Sequence, residues 1–214
     1  MNNEFLKRIL SSLILIPLVV FIITEGKYFF YILIILIYFI SCYEWYKMTK
    51  NKPYSTYGYF FFTISLFCFY QLRYDIENSF IPLLITISIC ILTDIGGYIF
   101  GKIFKGPKLT TYSPNKTYSG LIGSFVLAFL FVPFFMYYDF FDDSQLLNFI
   151  IFTFLISTSC QAGDIIVSYF KRASNIKDTG KIIPGHGGLL DRIDGMLFAI
   201  PVSYILLSFN YLKF

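Results

Sequence analysis

Residues 80–100 read FIPLLITISICILTDIGGYIF, twenty-one residues with one charge among them, Asp94. A helix rises about 1.5 Å per residue, so a run of about 20 crosses a hydrocarbon layer of about 30 Å. Six more apolar runs flank it, at 9–23, 28–46, 57–70, 121–138, 146–170 and 193–212. None alternates apolar with polar at period two. Backbone groups in lipid must pair within the segment or in a closed barrel, so the choice falls on helices. Composition agrees: 57% of residues are hydrophobic and 14% charged, with a mean hydropathy of +0.67. Soluble domains run nearer ~45–50% and ~25%. The expected fold is therefore all-α, a polytopic helical membrane protein with about seven transmembrane helices. The first and third runs are short. The first carries a basic flank, Lys7-Arg8, like a signal peptide, but has no A-x-A type cleavage site and holds Pro17 in mid-run. It is read as a retained span.

Basic residues set the orientation, since cytoplasmic loops hold the excess of Lys and Arg. With the N-terminus inside, the cytoplasmic segments hold Lys7 and Arg8, then Lys47, Lys50 and Lys52, then Lys102, Lys105, Lys108 and Lys116, then Lys171, Arg172, Lys177, Lys181 and Arg192. These are 14 of the 17 basic residues. Lys27, Arg73 and Lys213 fall outside, with the acids Asp139, Asp142 and Asp143. Two polar loops, 102–120 and 171–194, thus face the cytoplasm together. The four cysteines, Cys42, Cys68, Cys90 and Cys160, are scattered and make no C-x-x-C pair. They are read as small packed hydrophobes rather than metal ligands.

Acids inside apolar runs are costly and ask for a reason. Asp94 and Asp164 each lie near the cytoplasmic end of a run. They either end a helix near the headgroups or face a polar cavity. For Asp164 the cavity is favoured, because Ser168, Lys171 and Arg172 follow at i+4, i+7 and i+8 on one helical stripe. A carboxylate with two cations above it suits a metal-bound phosphate. Asp191 and Asp194, three apart, share a helical face beside Arg192. Hard carboxylate oxygens of this kind suit Mg²⁺. The alternative is that the two acids pair with Lys181 and Arg192 at the surface. Gly97 and Gly101, spaced G-x-x-x-G after Asp94, are expected to let another helix pack closely.

Residues 168–195, SYFKRASNIKDTGKIIPGHGGLLDRIDG, contain Gly180, Pro184, Gly185, Gly187 and Gly188, which prevent one continuous helix. Successive backbone N–H groups in such a loop can cradle an anion. His186, the single histidine, is either a structural hydrogen-bonding residue or a phosphate contact. It is not assigned as a general base. The earlier loop, 109–120, reads LTTYSPNKTYSG: Ser113-Pro114-Asn115 signals a turn, and Lys116 and Thr117 follow with a cation and a hydroxyl.

The segment 168–194 resembles the signature of the phosphatidate cytidylyltransferase (CDP-diacylglycerol synthase) family, S-x-x-K-R-x-x-x-x-K-D-x-G/S-x-x-x-P-G-H-G-G-x-x-D-R-x-D. Ser168, Lys171, Arg172, Lys177, Asp178, Gly180, Pro184, Gly185, His186, Gly187, Gly188, Asp191, Arg192 and Asp194 fit it. Gln161 to Asp164, Q-A-G-D, is similar to the family's approach to that signature. The Asp94 span and the Ser113 loop are similar to its D-x-x-A-Y-x-x-G-R and S-P-x-K-T-x-E-G elements. Three positions depart from these: Gly97 for Ala, Lys102 for Arg and Ser119 for Glu. The likeness covers 94–194. Residues 1–214 are accordingly read as one integral membrane domain, with N-terminal spans in 1–90 and the catalytic part in 91–214.

The resemblance implies transfer of a cytidylyl group from CTP to phosphatidate, giving CDP-diacylglycerol and pyrophosphate. It implies catalytic roles for Asp164, Lys171, Arg172, Asp178, Asp191 and Asp194. One or two Mg²⁺ ions would be held by Asp164, Asp191 and Asp194, with Asp178 at or just outside the coordination sphere; a monovalent co-ion is allowed. Substrate contacts would come from Ser113, Lys116, Thr117, Ser168, Lys177, His186, Gly187, Gly188 and Arg192. The implied partners are CTP, phosphatidate in the leaflet and the bilayer, with a homodimer allowed and no nucleic acid. The implied place is the inner (cytoplasmic) membrane, crossed many times, with the N-terminus and active-site loops cytoplasmic. Two rivals are a CTP-dependent kinase of a polyprenol-type lipid and an ion-coupled transporter.

Overall fold

The computed structural model describes residues 3–50, 52–74, 79–113, 115–138, 143–182 and 187–209, with 3–12 and 143 described by backbone alone. Each of the seven apolar runs forms helix within its described residues. The helices are α1 (Asn3–Glu25), α2 (Lys27–Thr49), α3 (Ser55–Tyr74), α4 (Ile81–Phe104), α5 (Tyr118–Leu130), α6 (Val132–Tyr137), α7 (Leu146–Ala173) and α8 (Leu190–Ser208). No strand occurs among the described residues. The fifth run is split into α5 and α6 at Phe131, because Pro133 offers no N–H and its ring crowds the preceding turn. Four stretches are long and apolar enough to cross a membrane: Lys27–Thr49, Ile81–Phe104, Tyr118–Tyr137 and Leu146–Ala173. Their outward faces carry large apolar side chains, such as Ile35, Phe39, Leu130 and Phe154, all exposed. A water-soluble fold would not present so much apolar surface, whereas lipid accepts it.

The chain divides into two compact units. The first comprises residues 1–70 and 170–193. In it Phe30 stacks on Phe69 with ring centroids 5.2 Å apart. Trp45 meets Phe62 and Phe170 edge-on, at 5.8 and 5.2 Å. Its indole N–H donates to the Ser55 carbonyl at 2.8 Å, so the ring ties the end of α2 to the start of α3.

The second unit comprises 71–169 and 194–214. Here α4 and α5 pack backbone to backbone. A methyl group on Gly96 would strike the Gly123 carbonyl, and one on Gly120 would stand 2.8 Å from the Gly97 carbonyl. The close approach expected of Gly97 and Gly101 is thus real; α5 is the approaching helix, and it answers with glycines of its own. Hydroxyl pairs add directional contacts inside this unit: Thr86 with Ser203 at 2.7 Å and Thr93 donating to Ser157 at 2.9 Å. Such pairs hold apolar helices in lipid, where burial alone gives no preference.

Candidate active site

In the second unit the loop from Lys105 to Thr117 is braced before α5 begins. Lys116 N–H donates to the Ser113 carbonyl at 3.0 Å, which closes the turn expected at 113–116. Leu109 N–H donates to the Lys116 carbonyl at 2.8 Å, and Lys108 bridges Thr117 in antiparallel sense. Thr117 caps α5, its Oγ1 accepting from Gly120 N–H at 3.1 Å. Ser119 shares a hydrogen bond with the same hydroxyl at 2.9 Å and donates to the Lys105 carbonyl. The turn and cap deliver Lys116 to Asp164, with which it forms an ion pair. Ser168 Oγ donates to Asp164 Oδ1 at 3.3 Å, as the i+4 spacing anticipates. Tyr112 packs edge-on against Tyr169 at 4.9 Å, fixing the loop beside the same stretch of α7. About a quarter of each side chain in the Lys116–Asp164 pair is exposed, 25% and 29%, so the pair is open to exchange for another ligand.

Two other acids of this unit lie along its helices. Asp94 is exposed, and the Cys160 thiol points to its Oδ1 at 3.9 Å. Asp194 is buried, and its Oδ1 accepts the Gly195 N–H at 2.9 Å.

In the first unit the last turn of α7 and the first turn of α8 carry the second set. Lys171 is buried and donates to Asp191 Oδ1 at 2.9 Å. Asp191 Oδ2 accepts from Thr179 N–H at 2.8 Å and Gly188 N–H at 3.1 Å. Asp191 therefore pairs with Lys171 rather than with Lys181 or Arg192, the surface alternative. Arg192 is adjacent to it on the helix, and neighbours at i and i+1 do not face each other. Arg172 donates to the Ile176 carbonyl at 2.9 Å and so closes the end of α7. Lys177, Asp178, Lys181 and Arg192 are exposed. Gly187 takes a φ of 91°, a conformation that glycine adopts without strain. Pro184, Gly185 and His186 lie outside the described residues.

One residue escaped the sequence reading. Glu44, near the end of α2, is almost wholly buried at 1% exposure. It accepts from the Thr179 hydroxyl at 2.8 Å, from Leu189 N–H at 3.0 Å and from Leu190 N–H at 2.8 Å. The signal was present, since an acid within the run 28–46 is as costly as Asp94 or Asp164.

Among the described residues no three His, Cys, Asp or Glu side chains gather to hold an ion. Lysines engage Asp164 and Asp191.

Apolar helices long enough to cross a membrane, with lysine–carboxylate pairs near their loops, define a membrane-embedded protein with charged groups at its helix ends. The chain belongs to the cytidylyltransferase family, whose model matches residues 6–74 and 54–210. It is 37% identical over 209 residues to a phosphatidate cytidylyltransferase of Rickettsia felis, covering 93% of this chain and 90% of that protein. A Rickettsia bellii protein of the same description is 37% identical over 215 residues, covering 96% and 91%. One from Staphylococcus saprophyticus is 44% identical over 119 residues, covering 54% of this chain and 45% of that one.

Proposed function

We propose that this protein transfers the cytidylyl group of CTP to phosphatidate. The observation that carries the proposal is that the family match over 54–210 encloses every candidate residue from Ser113 to Asp194. A phosphatidate oxygen attacks the α-phosphorus of CTP, the bond from that phosphorus to the β-phosphate oxygen breaks, and pyrophosphate leaves. Phosphatidate arrives ionised, so no general base is assigned, and His186 is given a phosphate contact. The barrier lies in bringing like charges together, which fixed cations and backbone dipoles offset. Lys171, Arg172, Lys177 and Arg192 hold phosphates, with Gly187 and Gly188 as further substrate contacts. Lys116 and Thr117, with Ser113 behind them in the turn, close the nucleotide side. Lys116 exchanges its carboxylate for a phosphate on binding, which the exposure of its pair with Asp164 allows.

The donor chemistry fits a divalent cation: Asp164, Asp178, Asp191 and Asp194 offer hard oxygens, with the Ser168 hydroxyl beside Asp164. When bound, Mg²⁺ would neutralise the phosphates and polarise the leaving group. The proposal includes seven spans, since each apolar run forms helix within its described residues and the odd number keeps 14 of the 17 basic residues on one side. That side is cytoplasmic under the positive-inside rule, which puts the N-terminus and both loops on the inner face of the cytoplasmic membrane. A homodimer is compatible with it.

The test uses purified protein in detergent with phosphatidate, Mg²⁺ and CTP carrying distinct labels at the α- and γ-phosphates. Label from the α-position in lipid is expected. Label from the γ-position would make the protein a lipid kinase. No label in any lipid would turn attention to the transporter.

A further inference from the structure

A carboxylate in an apolar helix is tolerated when donors meet its oxygens. Glu44 has three donors, and they come from the two ends of one loop: Thr179 at its start, Leu189 and Leu190 at its close. Asp191 repeats the closure, taking N–H groups from Thr179 and from Gly188. Thr179 is thus held twice, by its hydroxyl on Glu44 and by its backbone on Asp191. The first-turn N–H groups of α8 favour a negative charge where the Glu44 carboxylate sits. Two of the loop's glycines pack against this clamp, Gly188 first of all against the Thr179 hydroxyl. A methyl group on Gly180 would stand 2.6 Å from Glu44 Oε1, and one on Gly188 would stand 2.7 Å from Oε2.

We infer that Glu44 is a positioning residue for the 179–190 loop. It locks the loop's two ends together and so sets the backbone amides that hold Asp191 against Lys171. This rests on the reading of that loop as the phosphate-binding part of the active site. Glu44 does not touch substrate; it acts through Thr179, Leu189 and Leu190.

Glu44→Gln keeps the shape but turns an amide N–H₂ toward donors that now meet a carboxylate oxygen. In the full chain in detergent, it should lower kcat/KM for CTP by about tenfold or more. The loss should fall on KM for CTP, with KM for phosphatidate within about twofold of wild type, a split that general loss of fold would not produce. Hydrogen–deuterium exchange should quicken within 179–190 and stay unchanged in α1 and α3. Thr179→Val, which removes one of the three bonds, should give the same pattern with a smaller effect and covers the case in which Glu44→Gln fails to fold. Wild-type kinetics in both variants, or exchange that quickens throughout the chain, would overturn the assignment. A wild-type protein that transfers no cytidylyl group would sink the reading of the loop instead, and the exchange pattern would still decide the role of Glu44.

Discussion

Asp164 and Glu44 are both carboxylates in apolar helices, and their surroundings differ in kind. Glu44 is closed off and bound by one hydroxyl and two backbone amides, and the amides cannot leave without the chain moving. Asp164 is 29% exposed and bound by one lysine and one serine hydroxyl, groups on side chains that can turn elsewhere. A buried carboxylate met on both oxygens by neutral donors, with no cation beside it, is architecture. One held by mobile side chains can accept a new ligand without refolding anything, as a phosphate or metal site requires.

The sharpest way to break this comparison is Asp164→Asn. It should leave the melting temperature within a few degrees of wild type, since an exposed pair contributes only about 0–1 kcal/mol. Metal-dependent turnover should fall on the order of 10³-fold, the scale of losing a group that stabilises transition-state charge. Full activity in that variant, measured by label transfer across a Mg²⁺ titration, would count against Asp164 as a ligand. Unfolding would erase the distinction from Glu44.

Much of this was legible in the residues. The apolar runs located every long helix, because the length needed to cross lipid is a one-dimensional property of the chain. The Ser168–Asp164 bond followed from i+4 spacing, and the close packing at Gly97 and Gly101 from glycine spacing. The partners of Asp191 and Glu44 did not follow. Lys171 stands 20 residues from Asp191, and Thr179 stands 135 from Glu44. No helical period links positions so far apart. Glu44 was the harder of the two, because its donors are mostly backbone amides, which every residue but proline carries and no sequence pattern distinguishes.

An intermediate effect is expected from Gly188→Ala, which probes the closed side of the comparison. The added methyl group would press on the Thr179 hydroxyl and on both oxygens of Glu44. Overpacking of this kind costs about 1–3 kcal/mol, so thermal unfolding should shift down by several degrees, with a loss of activity of about tenfold. A Gly188→Ala protein as stable as wild type would mean that the clamp yields, and the contrast with Asp164 would soften to one of degree.

The smallest effect is expected at Ser119, where the family pattern has Glu. Here Ser119 braces the loop from within: its hydroxyl reaches the Lys105 carbonyl and shares a hydrogen bond with Thr117, the cap of α5. Ser119→Glu removes that brace and places an acid in the first turn of α5. A negative charge there is favourable by about 0.3–1 kcal/mol, which offsets part of two neutral hydrogen bonds of about 0.5–1.5 kcal/mol each. The net loss of stability should stay within about 2 kcal/mol, and KM for CTP should move by no more than about threefold. A change of tenfold or more in either direction would mean that this position acts on Lys116 and its exchange between carboxylate and phosphate. The open side of the comparison would then extend from Asp164 through Lys116 to the start of α5.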